Sequence, residues 1–314
     1  MTDMRVQIGP LALRNPVLTA SGTFGYGDDV KDLIDVNRLG GIVTKSLSLK
    51  PRDGNPPVRI AETTGGMLNS IGLANIGVER FVAEKLPYLR TLSTARIINI
   101  AASTVDEYAA VLERLEPETG VDAFEINISC PNVKEGGLSF GTSVPMTAEI
   151  TRRLRALTKK ALIIKLTPNV THVGEFARAA AGEGADAVSL INTLVGMAVD
   201  IRTRKPKLAT VTGGLSGPAI KPVALAKVYE AARAVKIPVI GIGGIASAED
   251  AIEFLLVGAT AVQVGTANFI DPATGVTVAE GIDAYCRREK IARVAELTGA
   301  LDAAAQYSVL HSWL

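Results

Sequence analysis

Residues 238–267 read PVIGIGGIASAEDAIEFLLVGATAVQVGTA. An apolar run (238–244) ends in glycines, a stretch opening a helix follows, and a tight VGAT link leads into a second apolar run (261–267). Both runs are apolar at consecutive positions, as expected of parallel strands buried on two faces. Gly241-Ile-Gly243-Gly244-Ile-Ala246 nominally matches the G-x-G-x-x-A dinucleotide pattern. That pattern wants an acid near the end of the next strand, and AVQVGTANF has none before Asp271. The other use of such glycines is a phosphate site built from the loops after strands seven and eight of a barrel. Gly265 and Thr266 lie at the second of these loops, and Gly214, Ser216 and Gly217 are placed to close the site. A phosphorylated substrate or a mononucleotide cofactor is implied.

Six further strand candidates precede these two, at 15–21, 40–46, 95–101, 123–129, 161–167 and 187–193. Helical periodicity fills stretches between them, among them 78–92, 105–116, 148–160 and 219–235. Eight βα units predict an α/β fold, a closed TIM (β/α)8 barrel, as one domain over residues 1–314. RVQIGPLALRNP (5–16) predicts a hairpin closing the barrel floor, and the chain after Glu289 a terminal helical appendage. The connections after strands two (47–77), four (130–145) and six (194–221) are long. Long loops on the carboxyl-end rim of a barrel build the active-site face.

Composition narrows the chemistry. Apolar residues make up 47% and charged residues 21%, and 33 basic against 32 acidic side chains leave a net charge of +1. That balance gives no overall attraction to a polyanion. Two cysteines and two histidines, widely separated, argue against a disulfide framework, a metal site or an iron–sulfur cluster held by this chain. The opening MTDMRVQIGP lacks a signal-peptide core, and no apolar run approaches the roughly 20 residues of a membrane helix. A cytoplasmic protein is expected.

Polar residues gather at the predicted carboxyl ends: Lys45, Asn99, Asn127, Lys165, Asn192 and Thr193, with Asn69 and Asn132 in adjoining loops. A single Asn at a loop start is as readily a helix cap. Five together offer side-by-side donors and acceptors suited to a flat ring edged with C=O and N–H, such as a pyrimidine or a flavin. Lys45 and Lys165 fit a Schiff-base lysine, an anion partner, or a cation beside a ring that gains charge on reduction. Period two puts Glu125, Asn127 and Ser129 on one face, so an inward Glu125 needs a cation, Lys45 or Lys165. Cys286 falls on the last helix and reads as a buried, inert thiol. Cys130 lies on the rim, as nucleophile or general base; no His is placed to pair with it, which favours the base.

Eight segments resemble the dihydroorotate dehydrogenase family: Ala20-Ser21-Gly22-Thr23-Phe24-Gly25, Thr44-Lys45-Ser46, Met67 through Leu73, Asn127-Ile128-Ser129-Cys130-Pro131-Asn132, Ile164 through Pro168, Ile191-Asn192-Thr193, Gly213 through Gly217, and Gly243-Gly244. The resemblance runs in order over nearly the whole chain. It implies an FMN-dependent barrel oxidising dihydroorotate to orotate in pyrimidine synthesis. FMN contacts would come from Ser21, Lys45, Ser46, Asn99, Asn127, Lys165, Ile191, Gly217, Gly243, Gly244, Gly265 and Thr266. Substrate contacts would come from Lys45, Asn69, Ser70, Ile71, Gly72, Leu73, Asn127, Asn132, Asn192 and Thr193. Cys130 takes the place of the base that removes the C5 proton while hydride leaves C6 for the flavin. A cysteine there indicates class 1; the membrane-bound class 2 carries serine and an N-terminal membrane segment. Leu194-Val-Gly-Met-Ala-Val-Asp200 followed by Ile-Arg-Thr-Arg-Lys-Pro206 resembles branch 1B. That branch implies electron transfer to NAD through a partner subunit carrying FAD and a [2Fe-2S] cluster, around a homodimeric core in a heterotetramer. One departure is Ala74-Asn75-Ile76-Gly77, where the family often has Gln-Asn-Pro-Gly; it predicts a looser end to the substrate loop.

The alternatives are a fumarate-linked class 1A enzyme, a tRNA dihydrouridine synthase or, more distantly, a Schiff-base lyase. A non-catalytic pyrimidine- or flavin-binding module is a further reading. The basic run Arg202-Thr-Arg204-Lys205-Pro-Lys207 is the only tempting RNA patch and reads more simply as a solvated loop or subunit contact.

Overall fold

A computed structural model describes residues 2–129 and 140–303. Eight parallel strands close into a barrel: β1 (Val17–Thr19), β2 (Gly41–Val43), β3 (Ala95–Ile100), β4 (Ala123–Asn127), β5 (Ala161–Lys165), β6 (Ala187–Leu190), β7 (Val239–Ile242) and β8 (Ala261–Val264). Each pairs with its sequence neighbours, and β8 returns to β1 through Val262 opposite Val17. All eight lie inside the predicted strands. Their residues are buried on both faces nearly throughout, which explains why the runs are continuously apolar.

Helices follow seven of the strands: an interrupted one over 78–89, then Val105–Leu115, Val144–Arg155, Val173–Gly182, Lys221–Ala234, Ala248–Leu256 and Thr274–Arg288. Side-chain caps fix several starts. Thr104 accepts from the Glu107 N–H, and Ser247 and Asp250 form a reciprocal capping box. Three expectations are corrected. The first unit has no α-helix: Asp28–Val30 and Val36–Arg38 are single 3-10 turns in a connection carrying Gly22, Gly25 and Gly27. The helix predicted over 78–92 holds a wide π-type segment at Phe81–Lys85. Pro87 follows it and has no N–H to continue the α-helical ladder. Of the predicted C-terminal appendage, residues 290–303 form no α-helix, only the 3-10 turn Val294–Leu297, with Lys290 left-handed at the end of the preceding helix; the remainder, 304–314, lies outside the described residues. The hairpin does form, Val6–Ile8 against Leu11–Leu13. Its turn packs against Asp186, just before β6, at the floor of the barrel.

Two long connections are not loops throughout. Ile60–Thr63 and Gly66–Asn69, from the connection after β2, pair antiparallel with each other. Thr212–Ser216, from the connection after β6, adds beside Gly66–Asn69, and Leu194–Met197 completes a four-stranded sheet. Sequence reading missed this sheet. Its strands are short and glycine-rich, and their partners lie far apart in the chain, so local periodicity carries little signal. The basic run 202–207 includes the exposed turn of a small ribbon, Val199–Asp200 against Lys205–Pro206.

Candidate active site

Inside the barrel, one buried carboxylate organises a polar layer. Glu125 on β4 is fully buried. Its Oε1 accepts from Asn99 Nδ2 at 2.6 Å and lies 3.5 Å from Lys165 Nζ. Its Oε2 accepts from Ser189 Oγ at 2.8 Å and Gln263 Nε2 at 2.6 Å. A carboxylate taken from water needs such compensation on both oxygens. The inward Glu125 is therefore as expected, and Lys165 rather than Lys45 is its cation. Ser189 and Gln263 were missed, although each is a lone polar residue inside a strand otherwise buried and apolar.

Above this layer the carboxamides meet. Asn127 Oδ1 accepts from Asn192 Nδ2 and from the Ser129 N–H, each at 3.2 Å. Asn192 Oδ1 accepts from the Thr193 N–H at 2.8 Å. The Asn127 carbonyl accepts from the buried Tyr108 hydroxyl at 2.6 Å, an anchor with no signature in the sequence. Asn69 reaches the same rim through the added sheet, donating to the Gly214 carbonyl at 3.3 Å. Lys45 is half-buried at the end of β2 and forms no ion pair among the described residues. Ser21 Oγ lies 3.3 Å from Ser46 Oγ, joining the ends of β1 and β2.

The segment Asn69–Leu73 is tied down from outside. Asn55 donates to the Ser70 carbonyl at 3.0 Å and, through its backbone, to the Ile71 carbonyl at 3.1 Å. Leu73 takes a left-handed conformation (φ 58°), which costs a residue with a Cβ roughly 1–2 kcal/mol. Asn75 holds it there. Its Nδ2 donates to the Leu73 carbonyl (2.8 Å) and Ser48 Oγ (2.7 Å), and its Oδ1 accepts from the Gly77 N–H (2.8 Å) and Ser48 N–H (3.2 Å). The loose loop end expected from Ala74-Asn75-Ile76-Gly77 is corrected: one nearly buried amide with four hydrogen bonds secures it.

The glycine loops form a cradle. Gly243 (φ 132°) and Gly244 (φ 77°) press on the Lys221–Ala234 helix. A Cβ on Gly244 would lie 2.7 Å from Lys221 Cβ, and one on Gly243 2.8 Å from Ala224 Cβ. Thr266 Oγ1 donates to Ser216 Oγ at 2.8 Å, and Gly217 follows directly, so the loops after β6, β7 and β8 converge. Gly265 leads into the short 3-10 turn Thr266–Phe269. Ile191, at the end of β6, is buried and donates its N–H to the Ile242 carbonyl at 2.9 Å. Lys221 beside Gly244 is committed to two carboxylates of the chain: its Nζ lies 2.6 Å from Asp250 and 3.0 Å from Glu253.

Cys130 and Asn132 lie outside the described residues. Cys286 is buried on the last helix, and burial pushes its thiol above the ordinary range. Among the described residues no three His, Cys, Asp or Glu side chains group as metal ligands, and no helix is long and apolar enough to cross a membrane.

The sequence profile of the family described as dihydroorotate dehydrogenase matches residues 3–285. A protein of Trichlorobacter lovleyi is 57% identical over 299 residues, 95% of this chain and 98% of the relative. One of Geotalea uraniireducens is 56% identical with the same coverage, and one of Geobacter sulfurreducens is 55% identical over 96% and 98% of the two chains. Each is named dihydroorotate dehydrogenase B (NAD(+)), catalytic subunit.

Proposed function

This chain belongs to the dihydroorotate dehydrogenase family, and on that footing we propose that it oxidises dihydroorotate to orotate in pyrimidine synthesis with one FMN held in a single domain over residues 1–314. The observation that carries the reading is the carboxamide cluster of Asn127 and Asn192, beside Asn69, above a floor made by Lys165 and Glu125.

The residues fit FMN. Asn99 Oδ1 and Gln263 Oε1 are buried acceptors that meet no donor among the described residues, and a flavin's pyrimidine edge carries an N–H. Gly217, Gly243, Gly244, Gly265 and Thr266 provide a cradle where a phosphate can approach backbone N–H groups. Ser21, Lys45, Ser46, Asn127, Lys165 and Ile191 complete the proposed contacts.

When bound, FMN supplies the acceptor for the hydride leaving C6 of the substrate. The chain's own residues do the rest. Asn69, Asn127, Asn132, Asn192 and Thr193, with the backbone of Ser70 through Leu73, fix the ring by paired donors and acceptors. Lys45 offers a cation to the substrate carboxylate. Cys130 takes the C5 proton as general base. Buried Lys165 offsets negative charge gained on reduction.

Electrons then pass to NAD through a partner subunit with FAD and a [2Fe-2S] cluster, in the cytoplasm, around a homodimer of this chain. The relatives' printed name supports that route. The test is the visible spectrum of the purified chain. A flavin spectrum that bleaches on anaerobic addition of dihydroorotate, with NAD reduced only after the electron-transfer subunit is added, is the expected result. A colourless chain, or one whose flavin dihydroorotate does not bleach, overturns the reading.

A further inference from the structure

We propose that Glu125, which the mechanism above does not use, is the positioning residue that sets the charge and hydrogen-bond polarity of the flavin floor, acting through Lys165, Asn99 and Gln263; this rests on the FMN reading. Asn99, Glu125, Lys165, Ser189 and Gln263 come from five different strands, and each is at most 5% exposed. Four of them converge on the carboxylate of the fifth, two to each oxygen. An ionised carboxylate only accepts, so it has room for all four and turns the NH2 of each neighbouring amide toward itself. That fixes the flip of Asn99 and of Gln263. Both amide oxygens are left buried and without a partner among the described residues. Unpaired buried acceptors are rare enough to call for a donor from elsewhere, and a ring N–H supplies one.

The same carboxylate tempers Lys165. The ammonium sits 3.5 Å from Glu125 Oε1, whereas the Asn99 amide reaches the same oxygen at 2.6 Å. The ion pair is therefore looser than the amide contact, and the lysine keeps donors for a ligand while its charge is partly cancelled. Removing the negative charge strengthens the field of Lys165 on the bound ring and favours the reduced, more negative cofactor. Removing a donor to the carboxylate does the opposite.

The experiment measures the midpoint potential of the flavin in the holoenzyme by anaerobic reductive titration. Glu125→Gln is expected to move the potential to more positive values by at least tenfold in the reduction equilibrium, about 30 mV for a two-electron couple. Ser189→Ala and Ser189→Val keep the charge and remove the hydroxyl donor to Glu125, and are expected to move it the other way. A residue that only fills space lowers the melting temperature without this reversal of sign. Potentials unchanged in all three variants, or shifted in one direction by all of them, overturn the proposal. If Glu125→Gln fails to fold, an unchanged potential in both donor variants overturns it equally. A parent chain that bleaches with dihydroorotate while the variants keep its potential refutes this inference alone. A parent without flavin refutes the function it rests on.

Discussion

Thr266 donates its hydroxyl to Ser216 across 2.8 Å, joining the loop after β8 to the strand that rises from the loop after β6. The bond closes one side of the glycine cradle, where a phosphate would draw on backbone N–H groups rather than on a lysine. Thr266→Val keeps the shape and removes the donor. A neutral hydrogen bond contributes about 1 kcal/mol, so FMN affinity should fall roughly fivefold. Fluorescence titration of the apoprotein measures it, and unchanged affinity would show the bond to be irrelevant to the cradle.

Cys130→Ala and Cys130→Ser test the base directly. General-base catalysis contributes about 10²–10⁴ in rate, so flavin reduction in stopped flow should slow by that much while orotate binding stays near the parent value. Equal rates in variant and parent exclude Cys130 as the base.

Asn75 secures the strained end of the Asn69–Leu73 segment. Asn75→Ala deletes four hydrogen bonds at a nearly buried position and leaves the left-handed Leu73 unsupported. A loss of about 2 kcal/mol in urea unfolding is expected, with the Michaelis constant for dihydroorotate raised more than kcat is lowered. A kcat effect alone would place Asn75 in a different role.

Asp250 ties stability to pH. Burial works to raise its carboxyl, but Lys221 and the N–H groups of Ala246 and Ser247 outweigh it and hold the group below its ordinary range. A carboxyl depressed in the folded state stabilises fully above its unfolded value, about 3.9, and loses that contribution as pH falls through the folded value. Asp250→Asn should therefore cost about 1–2 kcal/mol at pH 7 and progressively less below about pH 4. Denaturation midpoints across that window check the sign.

The barrel was legible because parallel strands covered on both faces leave uninterrupted apolar runs, and all eight such runs became strands. The inward set on β4 was legible for the same reason: period two coupled Asn127 to Glu125 before any partner was known. Other features depend on distance rather than pattern. Tyr108 anchors Asn127 from a helix whose periodicity marks it only as core. The sheet carrying Asn69 forms between residues 60–69 and 194–216, and no local window spans both. The loop end looked loose because sequence shows Ile76 where the family often has proline, and not the four hydrogen bonds that neighbouring Asn75 makes. Ser189 and Gln263 were readable in principle, since each is a single polar interruption of a buried run.

That added sheet has a consequence for how the protein can vary. Asn69 pairs with Gly214, and Met67 with Ser216, which holds Thr266. Ring recognition and phosphate seating thus share one backbone ladder. Lengthening either segment by a single residue would shift the register and disturb both. Exchanging the region 60–73 for that of a relative with another substrate should succeed only as a paired transplant with 194–217, so that lineages change the two together or neither.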